Sequence, residues 1–217
     1  MDTSHIIVAG TGRAGTSFLM ALLTELGYDT GFDTWIRGWD HKVRAGEEWG
    51  YPWAFKINKL YELEWNWPKT NTNMAATTFI PRVVKSPRFA FQLHKLLEKN
   101  QIKVDYAIVP FRKVKHVAAS YLKAGLEWES PGREQFFKKM PPQRRKELFW
   151  YIQLGYMLET FVEYEIPHVF IRFPKMVEDG EYLFNKLILP FPDLDRDKFF
   201  TVYNKLADIN LVNEGRS

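Results

Sequence analysis

The chain has 217 residues, of which 46% are hydrophobic and 26% are charged, so it fits one globular domain over residues 1–217. It contains no cysteine, which excludes disulfides and thiolate metal sites. The formal net charge of +4 favours an anionic ligand but does not require nucleic acid, which we do not expect as a partner.

The first strand begins within a few residues of the N-terminus, which leaves no space for a signal peptide. No run of about 18 apolar residues could span a bilayer. We therefore expect a cytoplasmic protein without a membrane partner. The five histidines lack the spacing of a metal-binding motif, so we expect no metal.

A strand, a glycine loop and a helix follow one another at the start of the chain. Residues 6–9 predict a buried strand, residues 10–17 form the loop GTGRAGTS, and residues 18–26 predict an apolar helix that stops at Gly27. This order directs backbone N–H groups and the positive end of a helix dipole at one point. The segment therefore predicts an anion site, although such a turn can also serve close packing alone.

The loop has the length of a triphosphate-binding loop but a different residue at its lysine position. Thr16 replaces that lysine, whereas Ser17 keeps the hydroxyl group. A triphosphate with its magnesium is therefore disfavoured. Arg13 can supply the missing positive charge.

Residues 28–80 show no clear periodicity and are rich in tryptophan, and aromatic residues make up 16% of the chain. We expect this irregular segment to be an insert that lines an acceptor cleft, although part of its tryptophans could belong to the core. Its tryptophans are Trp35, Trp39, Trp49, Trp53, Trp65 and Trp67.

The remaining chain alternates between strand and helix patterns. Strands are predicted at residues 82–85, 104–109 and 168–172, and helices at 89–99, 113–123, 141–165, 177–189 and 195–206. This alternation predicts a three-layer α/β fold with a mostly parallel sheet and helices on both faces. Ligands bind at the carboxyl ends of such strands, where the glycine loop, Lys85-Ser86 and Arg112 are expected.

Arg112 ends a predicted strand, and Ser120 follows eight residues later on the next helix. About two helical turns separate them, so both can face one ligand. Taken singly, Arg112 could be a surface charge and Ser120 a helix-packing serine.

Residues 10–19, 81–86 and 111–121 resemble the three signature regions of the sulfotransferases that use 3'-phosphoadenosine 5'-phosphosulfate. Residues 171–179 with Leu183 are similar to the strand and helix that end many bacterial members. The resemblance implies a fold like that of P-loop nucleoside triphosphatases. It also implies that the first loop binds the 5'-phosphosulfate and that Arg112 and Ser120 bind the 3'-phosphate. The implied loop residues are Gly12, Arg13, Ala14, Gly15, Thr16 and Ser17.

The resemblance implies metal-independent transfer of a sulfuryl group to a hydroxyl or amine of a small-molecule or carbohydrate acceptor. Such a transfer depends on positioning and on neutralising charge, for which Arg13 and Lys85 are the candidates. A P-loop kinase and a non-catalytic protein that binds an adenosine bisphosphate remain alternatives.

Two positions depart from the family pattern. Pro87 occupies the place of the histidine that acts as general base in cytosolic members, and Gly215-Arg216 only faintly matches the C-terminal phosphate-binding cluster. In other branches of the family an acidic residue after the first helix is the base. We favour Glu48, because the aromatic residues that follow it would raise the pKa of its carboxyl group. The other candidates are Asp33, Asp40 and Glu47.

Overall fold

Four parallel strands form the centre of the protein in a computed structural model, which describes residues 4–30, 81–86, 89–123 and 140–207. The strands are β1 (His5–Val8), β2 (Val83–Lys85), β3 (Val104–Phe111) and β4 (His168–Arg172). Their order across the sheet is β2-β1-β3-β4. In register, Ile7 of β1 lies opposite Val84 of β2 and Ala107 of β3. The predicted parallel sheet is confirmed.

Seven helices connect and cover the described strands. They are α1 (Thr16–Glu25), α2 (Phe89–Glu98), α3 (Val114–Lys123), α4 (Pro142–Glu163), α5 (Lys175–Glu178), α6 (Gly180–Leu187) and α7 (Arg196–Leu206). None of these helices is long and apolar enough to cross a membrane. Residues 31–80 of the tryptophan-rich segment predicted over 28–80 lie outside the described residues, as do Pro87 and Gly215-Arg216.

The two faces of the sheet carry separate hydrophobic cores. Ile6 and Val8 of β1 belong to a core shared with α1, α6 and α7, whereas Ile7 and Ala9 belong to a core shared with α2, α3 and α4. Side chains of a strand alternate between its two faces, so a run of consecutive apolar residues supplies both cores. The three-layer α/β architecture predicted from the sequence is therefore confirmed.

One prediction of a continuous helix is wrong. The helix expected over residues 177–189 is two helices, α5 and α6, separated at Asp179, whose backbone is extended. The Asp179 carboxylate accepts a hydrogen bond from the backbone N–H of Tyr182 at 2.9 Å. This contact caps a new helix N-terminus, which is a common role of aspartate. Met176 and Val177 lie before the break and Leu183 lies after it, and all three belong to the same core.

Candidate anion-binding site

Three neighbouring strand ends carry the predicted site residues. β1 is the middle strand of the three, and it leads into the glycine loop. β2 ends at Lys85, and the backbone N–H of Ser86 bonds to the carbonyl oxygen of Val8 at 3.2 Å. β3 ends at Phe111, directly before Arg112. The structure thus brings the loop, Lys85 and Arg112 to one edge of the sheet, as the sequence predicts.

The N-terminus of α1 has features that favour an anion. Gly15 is its N-cap, with a φ of 85° that suits glycine, and no side chain of the described residues caps the helix. The first turn contains no acidic residue. Ala14 and Thr16 are buried, so a ligand could contact only their backbone N–H groups, and their side chains contact the protein interior. Ser17 is half-buried. Uncapped N–H groups and the helix dipole together attract negative charge.

Arg13 has a left-handed backbone with a φ of 65°, which is uncommon for a residue with a side chain. Two contacts hold it there. Its Nε donates a hydrogen bond to Oγ of Ser120 at 3.2 Å, and its carbonyl oxygen accepts one from Nη1 of Arg112 at 3.4 Å. Arg13, Arg112 and Ser120 therefore form one cluster, which we call the arginine cluster.

Arg112 is buried, with 7% of its surface exposed. Burial, and then the charge of Arg13, lower the pKa of its guanidinium group. The guanidinium also lies over the ring of Phe173, 5.2 Å from the ring centre. Two cations at close range in a partly buried position repel each other, so an anion bound between them would relieve this repulsion.

The beginning of α3 extends the positive region. Burial lowers the pKa of His116, and the positive charges of Lys115, Arg112 and Lys113 lower it further. The positive charges of these three residues therefore add to burial in disfavouring the protonated imidazole.

Close packing fixes the shape of the loop. A Cβ atom at Gly12 would overlap the hydroxyl group of Tyr121, and one at Gly15 would overlap Met176 and lie 2.8 Å from the ring of Phe173. Tyr121 in turn packs on Trp150, with ring centres 5.3 Å apart. The loop therefore rests on α3 on one side and on the start of α5 on the other.

These packing contacts show what the sequence analysis missed. Tyr121, Phe173 and Met176 support the loop, although none was a candidate site residue. Tyr121 directly follows Ser120 in the chain. This adjacency to a predicted site residue was the one signal that could have indicated that Tyr121 lies near the loop. Nothing in the sequence links Phe173 or Met176 to Gly15, because this contact depends on where β4 lies in the sheet.

All predicted donor-site residues fall within the described chain. The loop residues lie between β1 and the first turn of α1, where Arg13 contacts Ser120 and Arg112, and Lys85 lies at the adjacent strand end. The predicted base, Glu48, lies outside the described residues, as do the alternatives Asp33, Asp40 and Glu47. Within the described ranges, no group of three or more histidine or acidic residues could hold a metal ion.

No family model matches the chain, and no curated protein matches it. Among solved structures, the sulfotransferase domain from the Synechococcus PCC 7002 olefin synthase is similar, with 13% sequence identity and a TM-score of 0.49. The match covers 99% of this chain and 85% of that domain.

Proposed function

We propose that this protein is a sulfotransferase that takes a sulfuryl group from 3'-phosphoadenosine 5'-phosphosulfate. The observation that carries the proposal is the arginine cluster beside the uncapped N-terminus of α1. The two features form adjacent positive positions, which suits a ligand with two separate anionic groups. A mononucleotide with a single phosphate would occupy only one of them.

The two anionic groups of the donor would bind at different places. The 5'-phosphosulfate would lie at the backbone N–H groups of the loop and the start of α1, beside Arg13. The 3'-phosphate would lie against Arg112 and Ser120, which can provide charge-assisted hydrogen bonds. The burial of Arg112 supports this division, because a buried cation is stabilised by an anion more strongly than an exposed one.

The reaction would need charge neutralisation more than covalent help from the protein. The bond between sulfur and the 5'-phosphate oxygen breaks, a bond from sulfur to the acceptor oxygen or nitrogen forms, and the acceptor proton passes to a base. Arg13 and Lys85 would neutralise charge on the sulfuryl group and the leaving phosphate. We propose Glu48 as the base, with a hydroxyl or amine of a small molecule or carbohydrate as the acceptor.

The ligand is tested by thermal denaturation with adenosine 3',5'-bisphosphate, AMP and ATP with magnesium. A ligand that binds only the folded state raises its melting temperature. The bisphosphate should raise it most, and Arg112→Ala should remove most of that preference. Arg196→Ala is the matched control, because Arg196 pairs with Glu181 on the surface formed by α6 and α7. Equal stabilisation by AMP contradicts the proposal, and a larger effect of ATP with magnesium would indicate a kinase.

The base is tested separately. Glu48→Gln should lower turnover with a competent acceptor while leaving the affinity for the bisphosphate unchanged. Glu47→Gln is the neighbouring control. If both variants keep full turnover, the base is not a carboxylate at these positions. If the bisphosphate binds but the wild-type protein transfers no sulfuryl group to any acceptor, the chain is a binding protein.

A further inference from the structure

The outer face of α4 carries an apolar stripe that the described part of the chain leaves largely exposed. The helix packs Trp150, Leu154, Met157 and Phe161 into the core. On the other side, Tyr151 is 56% exposed, Leu158 is 41% exposed and Val162 is 76% exposed.

The stripe has the spacing of a helix-packing seam. Leu148, Tyr151, Gly155, Leu158 and Val162 follow one another at intervals of three and four residues, which places them on one face of the helix. Leu148 is half-buried, whereas Tyr151, Leu158 and Val162 are exposed. From Leu148 to Val162 it extends roughly 21 Å, at about 1.5 Å per residue.

Gly155 lies in the middle of the stripe. Apart from its chain neighbours and the backbone of α4 itself, no heavy atom of the described residues lies within 4 Å of the position that a Cβ would occupy there, so packing among the described residues does not require glycine. Glycine is nevertheless unfavourable in the middle of a helix. Its use is explained if another helix crosses α4 closely at this point.

The charged residues at the two ends of α4 are placed unfavourably for its helix dipole. Arg144 and Arg145 lie in the first turn, whereas Glu159 and Glu163 lie in the last turns, and the first turn has no acidic residue and the last no basic one. A single helix is stabilised by the opposite arrangement. An antiparallel neighbour with the same sequence would place each basic end beside an acidic end.

We propose that the stripe is the interface of a homodimer, in which α4 packs antiparallel against α4 of a second copy of this chain. With Gly155 at the crossing point, Leu148 faces Val162 of the second copy, because each lies seven residues from Gly155. The stripe is therefore complementary to itself, as a two-fold interface must be. Within the subunit Arg144 pairs with Glu147 and Glu163 pairs with His94, each at 3.3 Å. Arg144 is 58% exposed and Glu163 is 54% exposed, and exposed pairs are weak, so both side chains can exchange these partners for ones on the other copy.

Sedimentation velocity over a range of concentrations tests the proposal on the full chain. The wild-type protein should associate to a dimer as its concentration rises. Val162→Lys should raise the dissociation constant at least about tenfold, because it places a charge in the seam. Leu189→Lys is the matched control, because Leu189 is 57% exposed but lies beyond α6, and it should leave dimerisation unchanged.

A second variant separates loss of the interface from loss of folding. Gly155→Gln has space within the subunit and a better helix propensity, so the dilute monomer should keep or raise its melting temperature. The dimer should nevertheless weaken, because the side chain blocks close approach of the two helices.

A charge exchange tests the antiparallel direction. Arg144→Glu and Glu163→Lys should each weaken the dimer, and the double variant should recover part of the affinity. The proposal is overturned if the wild-type chain stays monomeric at every concentration. It is also overturned if Leu189→Lys disrupts the dimer as strongly as Val162→Lys, if Gly155→Gln has no effect on it, or if the double variant recovers nothing.

Discussion

Arg13 and Ser120 are 107 positions apart in the chain, yet Nε of one donates to Oγ of the other at 3.2 Å. This hydrogen bond joins the loop after β1 to α3, which follows β3. It makes the proposed positions for the 5'-phosphosulfate and the 3'-phosphate parts of one hydrogen-bonded unit. A change at either residue should therefore affect both.

The hydroxyl group at position 120 should be required for affinity. Ser120→Ala removes a phosphate donor and the acceptor of Arg13, so we expect a loss of about 1.5–3 kcal/mol in the binding of adenosine 3',5'-bisphosphate. Ser120→Thr keeps the hydroxyl group and should retain most of the affinity. Isothermal titration calorimetry measures both. Equal losses of affinity in the two variants would show that the hydroxyl group does not determine the affinity for the bisphosphate.

Replacements of Arg13 should separate stability from activity. Both Arg13→Ala and Arg13→Gly should lower turnover roughly 10²–10³-fold in excess chelator, the effect of losing one charge-stabilising group. The free energy of unfolding of the Arg13→Gly variant should be about 1 kcal/mol higher than that of the Arg13→Ala variant, because glycine accepts the positive φ. Denaturant titration and an initial-rate assay give the two quantities. Activity that requires magnesium would contradict the mechanism.

The contact between Gly12 and Tyr121 should appear as a coupling between the two positions. Gly12→Ala should destabilise the fold by roughly 1–3 kcal/mol, because the new methyl group overlaps the tyrosine hydroxyl group. In a Tyr121→Phe background the same change should cost less, since the nearest remaining ring atom, Cζ, lies 3.2 Å from the Cβ position. A double-mutant cycle by urea denaturation measures the difference. If the effects of the two substitutions on the free energy of unfolding are additive, the contact is not the cause of the destabilisation.

Acid should destabilise the protein through His5. His5 is buried, its Nδ1 donates to the carbonyl oxygen of Pro81 at 2.9 Å, and burial lowers its pKa below 6.5. The unfolded chain therefore binds a proton first as the pH falls through about 6.5, and the free energy of unfolding decreases there. His5→Gln should reduce this decrease. His168→Gln, at an exposed histidine, is the control and should retain it.

Binding of the bisphosphate should raise the pKa of His116. In the free protein, burial and the charges of Lys115, Arg112 and Lys113 lower it. A bound phosphate offsets part of that positive charge, so the protonated imidazole becomes more favourable and its pKa rises. NMR titration of the His116 side chain with and without ligand measures the shift. An unchanged or lowered pKa would indicate that the anion binds elsewhere.

The sequence predicted the parts of the fold that depend on local patterns. Consecutive apolar residues form the buried strand β1 and the middle of β4, and Pro142 begins α4 as proline at the start of a helix often does. The break at Asp179 was missed because the apolar spacing continues across it, although aspartate followed by glycine was available as a signal.

The residues of the site were predictable from the sequence, but the contacts between them were not. Strand ends of a parallel sheet share one edge, so the meeting of the loop, Lys85 and Arg112 followed from topology. The bond between Arg13 and Ser120, and the support of Gly15 by Phe173 and Met176, depend on how α3 and β4 lie against the loop. No local pattern encodes those distances.

The pairing of β1 has a consequence during synthesis. In the structure, its described partners are β2 and β3, which begin at Val83 and Val104, so the nascent N-terminal segment leaves the ribosome long before either exists. Such distant pairings form slowly and leave apolar segments exposed in the meantime. The loop after β1 would acquire its ligand-binding shape only after α3 has emerged. Stalled chains that end before Ser120 should therefore fail to bind the nucleotide.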